Sequence, residues 1–370
     1  MAATELRERR GWVINGRFVT QPMTGVQRYA LEVVTALDKL LQDNRDAAKR
    51  LAMHLIVPPA ARAVPSFANI DVRQTSFGAS HAFDQFVMPI HGFGSGMLSL
   101  GNLGPVLSRR HIVCIHDANT FIMPESYSRS FGLVYRTLLP LIGRNAARVA
   151  TVSSFSASML VKYGVCSPEK IFIAPNGHEH VLRWDARRAQ LPAFRRPNRP
   201  FVLLLGSRAK HKNVDVILNQ AQALDQAGID IVVTGGSFGI FSSQERNAQR
   251  SNVHELGFVG DDELAALYGA ALCLVFPSKT EGFGIPPLEA MTMGCPVISS
   301  NAASLVEVGG DAVLYVDPDN AAGWRQAIVG LAGNNVLREE LISKARSRIG
   351  AFTWIRSAEI YLDHMLQLSG

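Results

Sequence analysis

Short apolar runs alternate with amphipathic stretches along almost the whole chain. In the first half the runs are Trp12–Ile14, His54–Val57, Ile112–Ile115, Val149–Val152 and Ile171–Ala174. In the second half they are Phe201–Leu205, Ile231–Val233, Leu272–Phe276, Pro296–Ile298 and Ala312–Val316. Their length is that of buried strands, and most end at a small or polar residue. Between them, sets such as Tyr29, Ala30, Val33, Val34, Leu37 and Leu41 recur at helical spacing. Such alternation predicts an α/β protein with two Rossmann-like halves, each a parallel sheet covered by helices. Ligands of open α/β sheets bind beyond the carboxyl ends of the strands, so the residues just after each run are the ones to weigh.

A chain of 370 residues has room for two domains. The segment Asp185–Pro200 breaks any helical period with three prolines and carries five arginines, which marks it as solvated. The expected division is residues 1–185, a linker over 186–200, and residues 201–353. A closing amphipathic helix is expected within 354–370, with Trp354, Ile355, Ile360, Tyr361 and Met365 apolar. A composition 47% hydrophobic and 18% charged excludes a disordered chain. No apolar run approaches the roughly 20 residues of a membrane span, and Met1–Arg10 is too charged for a secretory signal, so a cytoplasmic protein is expected. The four cysteines are far apart in sequence, without metal-ligand or disulfide spacing.

The net charge of +6 is unevenly spread. Residues 1–185 carry 20 basic and 13 acidic side chains, residues 186–200 add five arginines and no acid, and residues 201–370 carry 12 basic against 18 acidic. The basic first half is either an ordinary solvated surface or one that attracts an anionic membrane or a phosphate-bearing carrier. Nucleic acid is a poor fit, because the second half is acidic and no RNP, zinc-finger or helix-turn-helix pattern is present.

Three segments carry candidate chemistry. After Phe201–Leu205 comes Gly206-Ser-Arg208-Ala-Lys-His-Lys212-Asn213, then a helical pattern from Val214 to Leu224 with Asn213 as N-cap. A Gly-led loop with cations before a helix start suits an anion, with Arg208 and Lys212 as its holders; the alternative is two solvated cations. Near the start, Thr24-Gly25-Val-Gln27 has the form of a capping box opening a helix. Gly25 there costs up to roughly 1 kcal/mol relative to Ala, which serves either chain entry or close approach by a ligand. Finally, Glu281-Gly-Phe283-Gly284-Ile285-Pro286-Pro287-Leu-Glu289 predicts a tight turn into a short helix ending near Gly294, with Glu289 in its first turn. Two carboxylates near phosphate groups repel them, and suit the vicinal hydroxyls of a sugar or ribose instead. Otherwise Glu289 compensates a helix dipole and Glu281 is a solvated loop acid.

Together these residues resemble glycosyltransferase family 4. EGFGIPPLEAMTMGCPVISS is similar to the E-x7-E signature of those retaining, GT-B-fold enzymes, in which two Rossmann-like domains face across a cleft. INGRFVTQPMTGVQRYA resembles the family's glycine loop, IHDANTFIMPESYS its histidine segment, and TVSSFSASML with IAPNG the end of its first domain. ASLVEVGGDAVLYVDP and AFTWIRSAEIYL resemble its closing segments, the last of which crosses back onto the first domain.

The resemblance implies a transferase moving a hexosyl group from a nucleotide sugar to a saccharide or polyprenyl-diphosphate-linked acceptor in polysaccharide or lipopolysaccharide assembly. Glu289 would bond the ribose and Glu281 the transferred sugar, while Phe283, Gly284 and Ile285 offer backbone N–H groups. Lys212 and Arg208 would hold the diphosphate, Gly25 would meet it from the first domain, and His116 would lie against the donor sugar. His116 and Glu281 are the expected catalytic residues. TGVQRY resembles bacterial mannosyltransferases, so GDP-mannose is the expected donor, with UDP-glucose and dTDP-rhamnose as alternatives and nucleotide-sugar 2-epimerase as a second activity of the same fold. The loops around Gly235-Gly236 and Leu256-Gly257-Phe258 would read the base, and Gly92–Gly104 the acceptor. No cofactor or metal is expected: Asp317-Pro-Asp319 superficially resembles a metal-binding DxD, but Pro318 favours a turn. Contact with the inner membrane face is expected only as a peripheral one.

Overall fold

A computed structural model describes residues 10–44, 47, 50–62, 64–190, 199–206, 209–235 and 251–369. Arg208, Gly236 and most of the expected linker, residues 191–198, lie outside the described residues. The chain forms two compact units. One takes the chain up to Phe121, Ser128–Gly177 and everything from Thr353; the other takes Ile122–Tyr127 and His178–Phe352. The chain thus crosses at Gly177, ahead of the expected Asp185, and returns at Thr353. Residues just before position 190 are fixed on the second unit: the Asp185 N–H donates to Asp262 (2.8 Å) and the Gln190 N–H to Glu263 (3.0 Å).

The first unit is a seven-stranded parallel sheet made of β1 (Arg10–Asn15), β2 (Leu51–Val57), β3 (Ile70–Gln74), β4 (Gly96–Ser99), β5 (His111–Cys114), β6 (Arg148–Thr151) and β7 (Ile171–Ile173). Their order is β3-β2-β1-β4-β5-β6-β7, so the winding reverses between β1 and β4. Gly96 opens β4 against the Trp12 ring, where an added Cβ would meet ring carbons at 2.6 Å. The helix Gly25–Asp43 buries the predicted face, Tyr29, Ala30, Val33, Val34, Leu37 and Leu41. On it packs the closing helix, Trp354–Gln367, burying Trp354, Tyr361 and Met365. Polar tips tie the two helices together: the hydroxyls of Tyr29 and Tyr361 lie 3.0 Å apart, Tyr29 also donates to the Ala174 carbonyl (2.9 Å), and the Trp12 indole donates to Ser369 (2.9 Å).

The second unit is a six-stranded parallel sheet made of β8 (Phe201–Leu205), β9 (Asp230–Thr234), β10 (Val253–Gly257), β11 (Cys273–Phe276), β12 (Val297–Ser300) and β13 (Leu314–Val316). Their order is β10-β9-β8-β11-β12-β13, reversing between β8 and β11. Val202, Leu204, Ile231 and Val233 pack with Ile217, Leu218, Trp324, Ile328 and Leu331 in one core.

Several local expectations are corrected. Strands β3, β4 and β10 add to those the apolar runs predict, and β4 fills the middle of the Gly92–Gly104 segment read as a loop. Leu256 and Gly257 close β10 rather than forming a loop. Thr24 stands at the N-cap, but its hydroxyl donates to the Gln27 side chain instead of capping a backbone N–H. Asn213 is not an N-cap: it sits in the left-handed region (φ 53°) after a turn over Lys210–Lys212, and the expected single helix is broken into Asp215–Leu218 and Ala221–Gln226. All four cysteines are buried and none forms a disulfide. Among the described residues no helix is long and apolar enough to cross a membrane.

Candidate functional site

The reversal between β8 and β11 is where an open parallel sheet leaves a crevice at its carboxyl edge. Two loops meet there. The loop after β8 turns through Lys210–Lys212, and the loop after β11 runs from Pro277 to Gly284. One backbone bond and one side chain lace them together: the Lys279 N–H donates to the His211 carbonyl (2.7 Å), and the Asn213 side-chain amide donates to the carbonyl of Pro277 (3.2 Å) and to that of Pro318 (2.7 Å) in the loop after β13. The left-handed conformation of Asn213 aims its side chain at both. A distance of 69 residues in sequence is thereby closed, and Lys212 Nζ stands 2.7 Å from Glu281 Oε1, above the Phe276 ring.

Gly284 caps the helix Ile285–Thr292 at φ 104°, where any L side chain is strained, and an added Cβ would lie 2.6 Å from Leu305 Cδ2. Pro286 is the second residue of the helix, in its first turn. The N–H groups of a helix's first turn have no intrahelical acceptor, and those of this helix begin at Ile285, next to Phe283 and Gly284. Ser304 Oγ lies within hydrogen-bond reach of the carbonyls of Glu281 (2.9 Å) and Phe283 (3.0 Å), which fixes the turn from behind.

Glu289 falls in the second turn of this helix, not the first, so compensating the dipole does not explain it. It is buried, and its carboxylate is held by two partners: His180 Nε2 lies 3.1 Å from Oε1, and the Tyr268 hydroxyl donates to Oε2 (3.4 Å). Neither partner is visible in the sequence, because His180 is 109 residues away and belongs to no motif. Asp317 and Asp319 form a turn, with the Asp319 N–H bonded to Asp317 (2.9 Å) and the Asp319 carboxylate paired with Lys279. The Gly235 N–H donates to the Gly257 carbonyl (3.1 Å), which brings the two expected base-reading segments together. Phe258 beside them is 76% exposed.

The first unit holds the other expected residues. Gly25 is the first residue of its helix, as predicted. His116 follows β5 and is buried, with Nε2 2.9 Å from the Leu100 carbonyl and its ring edge-on to Tyr29 at 4.8 Å. A carbonyl only accepts, so Nε2 carries the proton; burial pushes the ring's pKa down to about 4, and His116 is a neutral imidazole at pH 7. Next to β1 lies a cluster that the sequence reading missed. Asp84, fully buried, accepts from the Asn15 amide (2.7 Å) and faces Arg17 Nε at 3.2 Å. Burial raises its pKa above the ordinary carboxylate range, outweighing Arg17, Asn15 and His81, which lower it.

Residues 187–348 match the family model for glycosyl transferases group 1. The chain is a glycosyltransferase. The matched stretch contains Lys212, Glu281, Phe283, Gly284, Ile285 and Glu289. Over 270 residues the enzyme is 28% identical to the O-antigen chain mannosyltransferase RfbU of Salmonella typhimurium, covering 71% of this chain and 69% of that protein. Over 257 residues it is 27% identical to O-antigen chain mannosyltransferase B of Escherichia coli, covering 66% and 67%. Among solved structures, sucrose-phosphate synthase from Thermosynechococcus elongatus superposes with a TM-score of 0.73 at 18% identity, covering 97% of this chain and 99% of that one. The glycosyltransferase has the GT-B fold that its motifs imply.

Proposed function

We propose that this glycosyltransferase moves mannose from GDP-mannose, with retention of anomeric configuration, to a saccharide or polyprenyl-diphosphate-linked acceptor in O-antigen or related polysaccharide assembly. The observation that carries the donor reading is the Lys212–Glu281 pair at the β8/β11 edge, with Glu289 on the helix that follows. It sets one cation for a diphosphate beside carboxylates suited to sugar and ribose hydroxyls. The choice of mannose rests on the two O-antigen mannosyltransferases to which the chain is similar.

The chemistry needs little proton transfer. The leaving group is a nucleoside diphosphate, so the task is to stabilise its developing charge while the anomeric carbon gains oxocarbenium character. Lys212 and the N–H groups at the start of the Ile285 helix serve that charge, and Glu281 orients the sugar. Competition between diphosphate and Glu281 for the one ammonium links donor entry to release of the carboxylate. Gly25 and His116 enter on the family resemblance: Gly25 as a close approach to the diphosphate, and His116 as a neutral partner for a sugar hydroxyl. The acceptor hydroxyl attacks the face the phosphate leaves, and a departing phosphate oxygen takes its proton. No metal takes part in this scheme. The basic first half favours a peripheral contact with an anionic membrane where a lipid-linked acceptor resides.

A turnover screen over GDP-mannose, UDP-glucose and dTDP-rhamnose tests the reading, with product configuration read by NMR. GDP-mannose should turn over fastest, with its anomeric configuration kept, and Lys212→Ala should lower kcat/KM about 100-fold. An inverted product overturns the mechanism, and loss of activity to a chelator with rescue by a divalent cation overturns its metal independence. Sugar epimerised without acceptor assigns the chain to the 2-epimerases instead.

A further inference from the structure

Glu289 is held differently from the rest of the donor edge. Its partner His180 comes from the turn Glu179–Arg183, directly after the chain enters the second unit, and is fully buried with its ring edge-on to Trp184 at 5.5 Å. Where the chain leaves the same unit, the Phe352 carbonyl lies 2.8 Å from His178 Nδ1, and the Phe352 ring stands edge-on to Phe283 at 5.4 Å. Both crossing segments therefore end on the Glu281–Glu289 segment, one at Glu289 on its helix and the other at Phe283 in its loop.

The hydrogen-bond inventory of Glu289 gives this arrangement a purpose. An ionised carboxylate only accepts, so the proton between the two groups sits on His180 Nε2. Each carboxylate oxygen has about two acceptor directions. His180 takes one on Oε1, and the single Tyr268 O–H is shared between Oε2 and the Pro286 carbonyl, both at 3.4 Å, which leaves at least one direction on each oxygen for the two O–H groups of a vicinal diol. A flexible glutamate would have to adopt that orientation on every binding event; here it is set beforehand.

We propose that His180 is a positioning residue: it touches no ligand, and it holds Glu289 in the orientation that accepts the two ribose hydroxyls. This rests on the reading of Glu289 as the ribose acceptor.

The test uses the full chain and measures dissociation constants by calorimetry for GDP and UDP, each against its 2′,3′-dideoxy counterpart. The variants are His180→Leu, His180→Asn, His180→Gln and Glu289→Gln. The Gln amide nitrogen reaches the position of Nε2, whereas that of Asn stops near Nδ1. His180→Asn and His180→Leu should weaken the better-binding nucleotide about tenfold and leave its dideoxy form unchanged, with His180→Gln close to the parent. Donor KM should rise by the same factor while kcat at saturating donor holds within about twofold. Should His180→Leu fail to fold, the Asn and Gln pair carries the comparison alone. Equal weakening of ribose and dideoxy forms, or Asn and Gln behaving alike, overturns the proposal. If Glu289→Gln keeps full ribose discrimination, the reading of Glu289 falls and the proposal with it. If Glu289→Gln loses discrimination while His180→Asn keeps it, only the role of His180 falls.

Discussion

The two units share one architecture and use its decisive edge in opposite ways. At the β8/β11 reversal the second unit sets Lys212 against Glu281, with the two side chains 26% and 13% exposed and the loops cross-linked by backbone. Beside the β1/β4 reversal the first unit sinks its ion pair inward: Asp84 is fully buried, and Arg17 is 12% exposed. A pair with more access to water exchanges partners at less cost than one whose carboxylate is fully desolvated. The second unit's pair is the more open of the two to water. In the first unit Asp84 ties the segment Phe83–Val87 to Asn15 at the end of β1 and to Arg17 just beyond it.

The largest test of that contrast is a pair of truncations. Asp84→Ala leaves the Asn15 amide and Arg17 without their partner and should cost about 3 kcal/mol of the first unit's stability with nucleotide affinity intact. Glu281→Ala should cost less stability than Asp84→Ala and abolish most turnover. Calorimetry with a parallel rate measurement separates the two, and equal stability losses would erase the distinction.

Acidification sharpens it next. Burial lowers the pKa of His116 to about 4 and of His111 to about 3, both in the first unit, from an ordinary 6.5. His364 in the same unit is also lowered by burial, and in the second unit so is His211, by burial and by Lys212. The unfolded chain binds these protons below pH 6.5 while the folded chain does not, so their contribution is complete above pH 6.5 and is lost as the pH falls toward 4. Each of His111 and His116 contributes a slope of roughly 1 kcal/mol per pH unit over that window. Scanning calorimetry from pH 7 to pH 5 should therefore lower the first unit's transition more than the second's, and parallel shifts would contradict the assignment.

The smallest effect is at Thr24. A hydroxyl that capped the helix would be worth about 1 kcal/mol. Here it is spent on Gln27, and Thr24→Ala should change the melting free energy by less than about 0.5 kcal/mol.

What the sequence makes legible follows from what leaves a periodic trace. Phe201–Leu205 is read to the residue, because a central strand buried on both faces is a continuous apolar run. Ile70–Gln74 and Val253–Gly257 are edge strands with mixed, half-exposed side chains, and no apolar run announces them. The turn before the Ile285 helix is readable through Gly284 and Pro286, whose backbone preferences are local. The break after Lys212 is not, because Asn213 is held left-handed by carbonyls from two other loops. His180 and Asp84 escape for the same reason: each is defined by a partner distant in sequence, and nothing beside it in the chain marks it.

The closing helix also bears on how the protein is made. The second unit is almost one continuous stretch, His178–Phe352, joined only by Ile122–Tyr127 from earlier in the chain. The first unit needs Tyr361 against Tyr29 and Ser369 against Trp12. On a ribosome the second unit can therefore finish before the first, whose β1 and following helix wait with Trp12 and Tyr29 incompletely covered until the helix Trp354–Gln367 emerges. A stalled or clipped product should accordingly present chaperones with an unfinished first unit beside a completed second one.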